Sequence, residues 1–154
     1  MSPTRRSPRL AALLLGLAAT LASAEVVEID SREFEALLAR GVPVVDLRTG
    51  PEWKETGVVR GSHLLTLYDA AGRSDPAAWM RQVDKVATPD KPLVLICRSG
   101  NRSGKAAQLL QAAGRKGKVY NVRTGITGWV RDGRPVLGVA DNLKLPGVTC
   151  PAGC

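Results

Sequence analysis

Cys97 directly follows the apolar run of residues 92–96 and heads the stretch Cys-Arg-Ser-Gly-Asn-Arg-Ser, residues 97–103. A sulfur nucleophile set beside anion-binding groups is the chemistry this grouping offers. A strand ending at Ile96 and followed by a helix would put Cys97 at the carboxyl end of that strand, where open α/β sheets bind ligands. The turn of residues 98–102 between them can aim several backbone N–H groups inward as an anion nest. The positive end of the helix dipole adds to that field. Gly100 permits backbone angles closed to other residues. Such surroundings favour the thiolate, the nucleophilic form of cysteine, and Arg98 and Arg102 strengthen the effect. A lone cysteine at a strand end is commonly structural; the six residues that follow Cys97 are what point to chemistry.

The elements that would position this loop are legible around it. Residues 25–29, 42–47, 92–96 and 118–122 read as strands, and the second and third are apolar enough to be buried on both faces. Between them lie helical patterns. Asp30 or Ser31 can cap a helix with Phe34, Leu37 and Leu38 on one face and Gly41 at its end. Ser74 or Asp75 can cap another with Trp79, Val83 and Val86 at helical spacing. After the cysteine loop, Ala106, Leu109, Leu110 and Ala113 fall toward a core, with Gly114 as a stop. Strands and helices in alternation predict an α/β fold with a mainly parallel central sheet and helices on both faces. From about Gly138 periodicity is lost, so residues 25–138 are expected to form one domain and residues 139–154 a tail.

The cysteine stretch resembles the active-site loop of the single-domain rhodaneses, or sulfurtransferases, and other family-like pieces flank it in order. Val44 to Arg48 is similar to the family's Asp-x-Arg segment. Residues 51–65 resemble its Glu-aromatic…Gly-His-Ile…Gly-Ala segment, and residues 123–136 its Gly-Gly…Trp…Gly-x-Pro-Val segment. Val58 stands where the family often has histidine, Gly61-Ser62 replaces Gly-Ala, and Thr124-Gly125 replaces Gly-Gly. The resemblance spans about residues 26–137. It implies a rhodanese-like fold in which Cys97 attacks the outer sulfur of a small anionic donor such as thiosulfate. The resulting persulfide passes its sulfur to a thiol or cyanide acceptor. Arg98 would attract the donor, Arg102 would stabilise the loop and the thiolate, and Ser99 and Ser103 would donate to the outer sulfur. The backbone of Gly100 and Asn101 would complete the cradle, and Asp46 and Arg48 would form a supporting ion pair. No metal or organic cofactor is implied. Four residues separate Cys97 from Arg102, whereas tyrosine phosphatases and rhodanese-like phosphatases have five. The shorter loop favours a single bound sulfur over a phosphate, so an arsenate reductase or phosphatase is the weaker reading. A module that delivers sulfur to, or docks on, one partner without free turnover is the other alternative.

The remaining features bear on location. Residues 1–24 combine a basic start, an apolar run too short to span a bilayer and a small-residue site ending at Ala24, the pattern of a signal peptide. A periplasmic or secreted protein with no stable membrane anchor after cleavage is expected. Three of the 22 basic residues lie in this segment, which holds no acid, so part of the net charge of +8 belongs to it. With only 4% aromatic residues and dispersed charge, a nucleic-acid surface is not expected. Cys150 and Cys154 are spaced to close a small disulfide loop in an oxidising compartment, leaving Cys97 as the free thiol; a redox role for the pair is a further reading. His63, the lone histidine, is expected to be structural and partly buried, and Trp53 and Trp129 to pack in the core.

Overall fold

The computed structural model describes residues 24–151 and 154; the leader proposed for residues 1–24 lies outside them except for Ala24. Five strands form one parallel sheet in the order β1-β5-β4-β2-β3. They are β1 (Val26–Ile29), β2 (Val44–Asp46), β3 (His63–Leu64), β4 (Leu93–Ile96) and β5 (Val119–Val122). The helices are α1 (Ser31–Ala39), α2 (Gly50–Thr56), α3 (Pro76–Val86), α4 (Asn101–Ala112), α5 (Gly125–Arg131) and α6 (Val139–Leu143).

The two-residue period of a strand divides the core. Leu93, Leu95 and Cys97 join Trp79 and Val83 of α3 and Ala106, Ala107 and Leu110 of α4 on one face. Val94 and Ile96 join Phe34 and Leu37 of α1 and Ile126 and Trp129 of α5 on the other. All four residues of β4 are fully buried, which is why this strand reads as an unbroken apolar run. Asp30 caps α1 through a reciprocal pair with Glu33, and Asp75 caps α3 through the Ala78 N–H. Of the apolar face expected for α4, Ala113 is exposed and Ala107 takes the core position instead.

Four elements went unread in the sequence. Helices α2, α5 and α6 have seven, seven and five residues, and β3 has two. None is long enough to show a period. Helix α6 belongs to the stretch expected as a tail, and that stretch is a packed strap. The amide of Asn142, fully buried, donates to Ser62 O and accepts from Gly61 N, while Leu64 N donates to Thr149 O. Cys150 and Cys154 are disulfide-bonded and pack with Val139 against Trp53, Val58 and Leu64. Val58, where a histidine was the family expectation, is fully buried and bridges to Leu137. Ala24, the first described residue, is 1% exposed, and its N–H donates to Arg115 O.

Candidate active site

The cysteine loop leaves the carboxyl end of β4, the third of five strands. Only residues 97–100 lie between strand and helix, because Asn101 and Arg102 already form the first turn of α4. The expected turn of residues 98–102 is thus shorter by two. The cause is Gly100, the N-cap residue, in the left-handed region at φ +90°. A Cβ there would stand 2.1 Å from Arg123 O, so only glycine lets the loop reverse against the end of β5.

The loop carbonyls are turned away from the thiol. Ile126 N donates to Cys97 O (2.8 Å) and Thr127 N to Arg98 O (3.1 Å), so the start of α5 holds the loop from behind. Gly125 makes this approach possible: its φ is +58°, and a Cβ would meet Arg98 O at 2.4 Å. Gly100 O accepts from Gly104 N (2.8 Å), Ser103 Oγ (3.2 Å) and Asn121 Nδ2 (3.1 Å). Asn121 is itself held by the Glu28 carboxylate on β1. With these carbonyls engaged, the N–H groups of Arg98, Ser99, Asn101 and Arg102 have no protein acceptor among the described residues. They are the donors an added anion would use.

Cys97 is the free cysteine and is 1% exposed. Its Sγ accepts from Gly100 N and from Ser103 Oγ, each at 3.2 Å. Ser103, expected to serve an outer sulfur, thus meets Sγ itself. Arg98 and Ser99 are exposed at the rim, as is Asn101. Arg102 does not reach for the thiol. Both of its terminal nitrogens donate to the Glu52 carboxylate, and Glu52 is what chiefly holds its charge, against burial, with Cys97 and Asp46 adding at longer range. Burial alone would push the Glu52 carboxyl up; the Arg102 and Thr49 hydrogen bonds and the Arg102 charge outweigh it and hold the pKa at about 2.

Asp46 and Arg48 form a buried ion pair, 0% and 1% exposed, at 2.7 Å. The remaining Arg48 donors bind Glu52 O, Thr56 Oγ1 and Gly57 O. Arg48 therefore ties α2 to the end of β2, and α2 carries Glu52 to Arg102. Asp46 and Arg48 thus hold α2 against the end of β2, and Arg48 also borders the cavity beside that helix. Between α2 and α5 opens a cavity of about 450 Å³ bordered by Glu52, Glu55, Arg98, Ile126, Thr127 and Val130. His63 lies outside the site, on the edge strand two strands from β4; its Nδ1 meets Thr149 Oγ1, and burial pushes its pKa down. Trp129 packs 4.9 Å from Phe34 and donates to Pro135 O.

Sequence reasoning missed Glu52, Asn121 and the N–H groups of Ile126 and Thr127. Glu52 was within the quoted Glu-aromatic segment and Gly125 within the late glycine segment, but their roles depend on contacts across 50 residues or between loops.

Residues 30–132 match the family described as Rhodanese-like domain. The chain is 33% identical over 116 residues to thiosulfate sulfurtransferase 18 of Arabidopsis thaliana, covering 73% of this chain and 84% of that one. It is 34% identical over 114 residues to a sulfurtransferase of Allochromatium vinosum, covering 73% and 95%. Among solved structures, Rv0390 from M. tuberculosis superposes with a TM-score of 0.63 at 24% identity, over 75% of this chain and 99% of that one.

Proposed function

The chain belongs to the rhodanese-like domain family and is related to sulfurtransferases, and from that premise we propose that it moves a sulfane sulfur from thiosulfate or a similar anionic donor to a thiophilic acceptor through a persulfide on Cys97. The observation that carries this reading is the setting of Sγ. It is a single free thiol, held by Gly100 N and Ser103 Oγ, at the foot of a loop whose other N–H groups lack protein acceptors.

Each step follows from that setting. The Cys97 thiolate attacks the outer sulfur of thiosulfate, and sulfite leaves with the electron pair of the S–S bond. The persulfide anion projects toward the loop N–H groups and the positive end of α4, which stabilise it in place. Arg98, exposed at the rim, draws the donor. A thiolate or cyanide then attacks the outer sulfur, and Cys97 returns to thiolate. We also read the chain as exported, on the leader-like pattern of residues 1–24 and the disulfide between Cys150 and Cys154.

The test is thiocyanate formation from thiosulfate and cyanide, beside a Cys97→Ala variant. Activity at least about a thousandfold above that of the variant is expected for a covalent nucleophile. Mass spectrometry after thiosulfate treatment should show one added sulfur on Cys97. Equal thiocyanate formation by the two proteins would overturn the proposal.

A further inference from the structure

The cavity beside Arg98 is much larger than a thiosulfate ion, and not all of the charged side chains at its border are paired. Arg48 is paired with Asp46 and Arg102 with Glu52. Arg98 is exposed and has no ion-pair partner among the described residues, so it is the cation that a small anion would meet. Glu55 remains. It is exposed, borders the cavity, and has no ion-pair or hydrogen-bond partner among the described residues. Its neighbour Lys54 borders a separate cavity together with Cys154. Apolar surface at the same border is offered by Val130, which is 47% exposed.

On the sulfur-transfer reading above, we propose that this cavity receives the sulfur acceptor and that Glu55 selects a thiol bearing a cationic group beside a short apolar segment. Donor and acceptor are then sorted by charge within one mouth. A small anion is held at the Arg98 end, against the start of α4, while a longer cationic thiol reaches Glu55 with its far end. In the transfer step the acceptor thiolate attacks the outer sulfur of the persulfide and forms a new S–S bond. The bond between that sulfur and Sγ breaks, and its electron pair stays on Cys97. The acceptor departs as a persulfide, and neither an oxidant nor a reductant is consumed.

The experiment loads the protein with thiosulfate and offers cysteamine, 2-mercaptoethanol or 3-mercaptopropionate at equal thiolate concentration. The alkylated acceptor persulfide is read by mass spectrometry. Cysteamine should outrun 3-mercaptopropionate by about fivefold, the sum of one exposed attraction and one repulsion. Glu55→Gln should bring that ratio to about one and Glu55→Lys should invert it, while about 1 M salt should flatten it in the parent protein. Because the readout is a ratio within each protein, a general loss of activity does not imitate the effect. A ratio that neither substitution moves would overturn the acceptor assignment and leave the sulfur-transfer reading standing. A chain that takes no sulfur from thiosulfate would overturn both.

Discussion

Sulfur is held in two places in this molecule, and the two are built in opposite ways. At the end of β4 a single thiol is kept free and buried by backbone: carbonyls turned toward α5 and β5, and the Gly100 N–H donating to Sγ. At the β3 edge two cysteines are closed on each other and packed on an apolar cluster of Trp53, Val58 and Leu64. Helix α2 lies between, with Glu52 joined to Arg102 at the loop and Trp53 buried under the strap. A site whose reactive atom is set by main-chain geometry tolerates almost no displacement, whereas a strap held by packing and a covalent link has only to stay in place. Changes at the loop should therefore cost activity, and changes at the strap should cost stability alone.

The largest test makes one substitution in both regions. Gly100 and Gly147 have φ of +90° and +78°, but a Cβ at Gly100 meets Arg123 O at 2.1 Å while one at Gly147 meets nothing within 4 Å. Gly147→Ala should cost about 1 kcal/mol, the strain of the backbone conformation, and leave thiocyanate formation within about twofold. Gly100→Ala adds a backbone collision that moves Sγ away from its donors. A loss of about 3 kcal/mol in urea unfolding and of at least about a hundredfold in activity is expected. Equal effects of the two would break the contrast.

A second test reaches the loop from behind. An added Cβ at Gly128 would stand 1.9 Å from Thr124 Oγ1 and 2.3 Å from Thr124 Cβ. Thr124, which departs from the family's Gly-Gly, fits because residue 128 is glycine. Gly128→Ala should destabilise by about 2–3 kcal/mol and lower activity by displacing the start of α5. Adding Thr124→Gly should recover most of both, a non-additivity that marks direct contact. On the strap side, replacing Cys150 and Cys154 by serine removes the closure of a five-residue loop, worth about 2 kcal/mol in the unfolded chain. Thiosulfate-to-cyanide activity should stay within about twofold; a tenfold loss would show that the strap acts on the site through α2.

The same contrast governs what the sequence reveals. Four of the five strands, helices α1, α3 and α4 and the cysteine loop are carried by local signals: the apolar run at β4, the caps at Asp30 and Asp75, and the seven residues from Cys97. The strap is not, because Asn142 bonds to Gly61 and Ser62 some 80 residues away and α6 is too short for a period. Within the site, Cys97 could be read from its neighbours and the Asp46–Arg48 pair from the family-like Asp-x-Arg segment. The partner of Arg102 could not be read, since Glu52 lies 50 residues earlier on a helix with a single buried side chain. Asn121, a polar residue within β5, carries no local signal of its bond to Gly100 O, 21 residues away.

The smallest effect separates the two regions by pH. The folded Glu52 carboxyl has a pKa of about 2 against an ordinary 4.5, so the unfolded chain takes up its proton first as the solution is acidified. The contribution of the Glu52–Arg102 pair is then fully present above about pH 4.5 and is lost as pH falls toward 2. The side chains are 22% and 29% exposed, so water screens the pair and about 1 kcal/mol is expected. Urea unfolding should show Glu52→Gln less stable than the parent by that amount at pH 6, with the gap closing between pH 4.5 and 2. The disulfide has no proton to gain in this window, and its serine variant should differ from the parent by a constant amount across it. A gap for Glu52→Gln that stayed constant as well would mean that α2 is held by Arg48 and the strap alone, with the bond to Arg102 contributing nothing to its position.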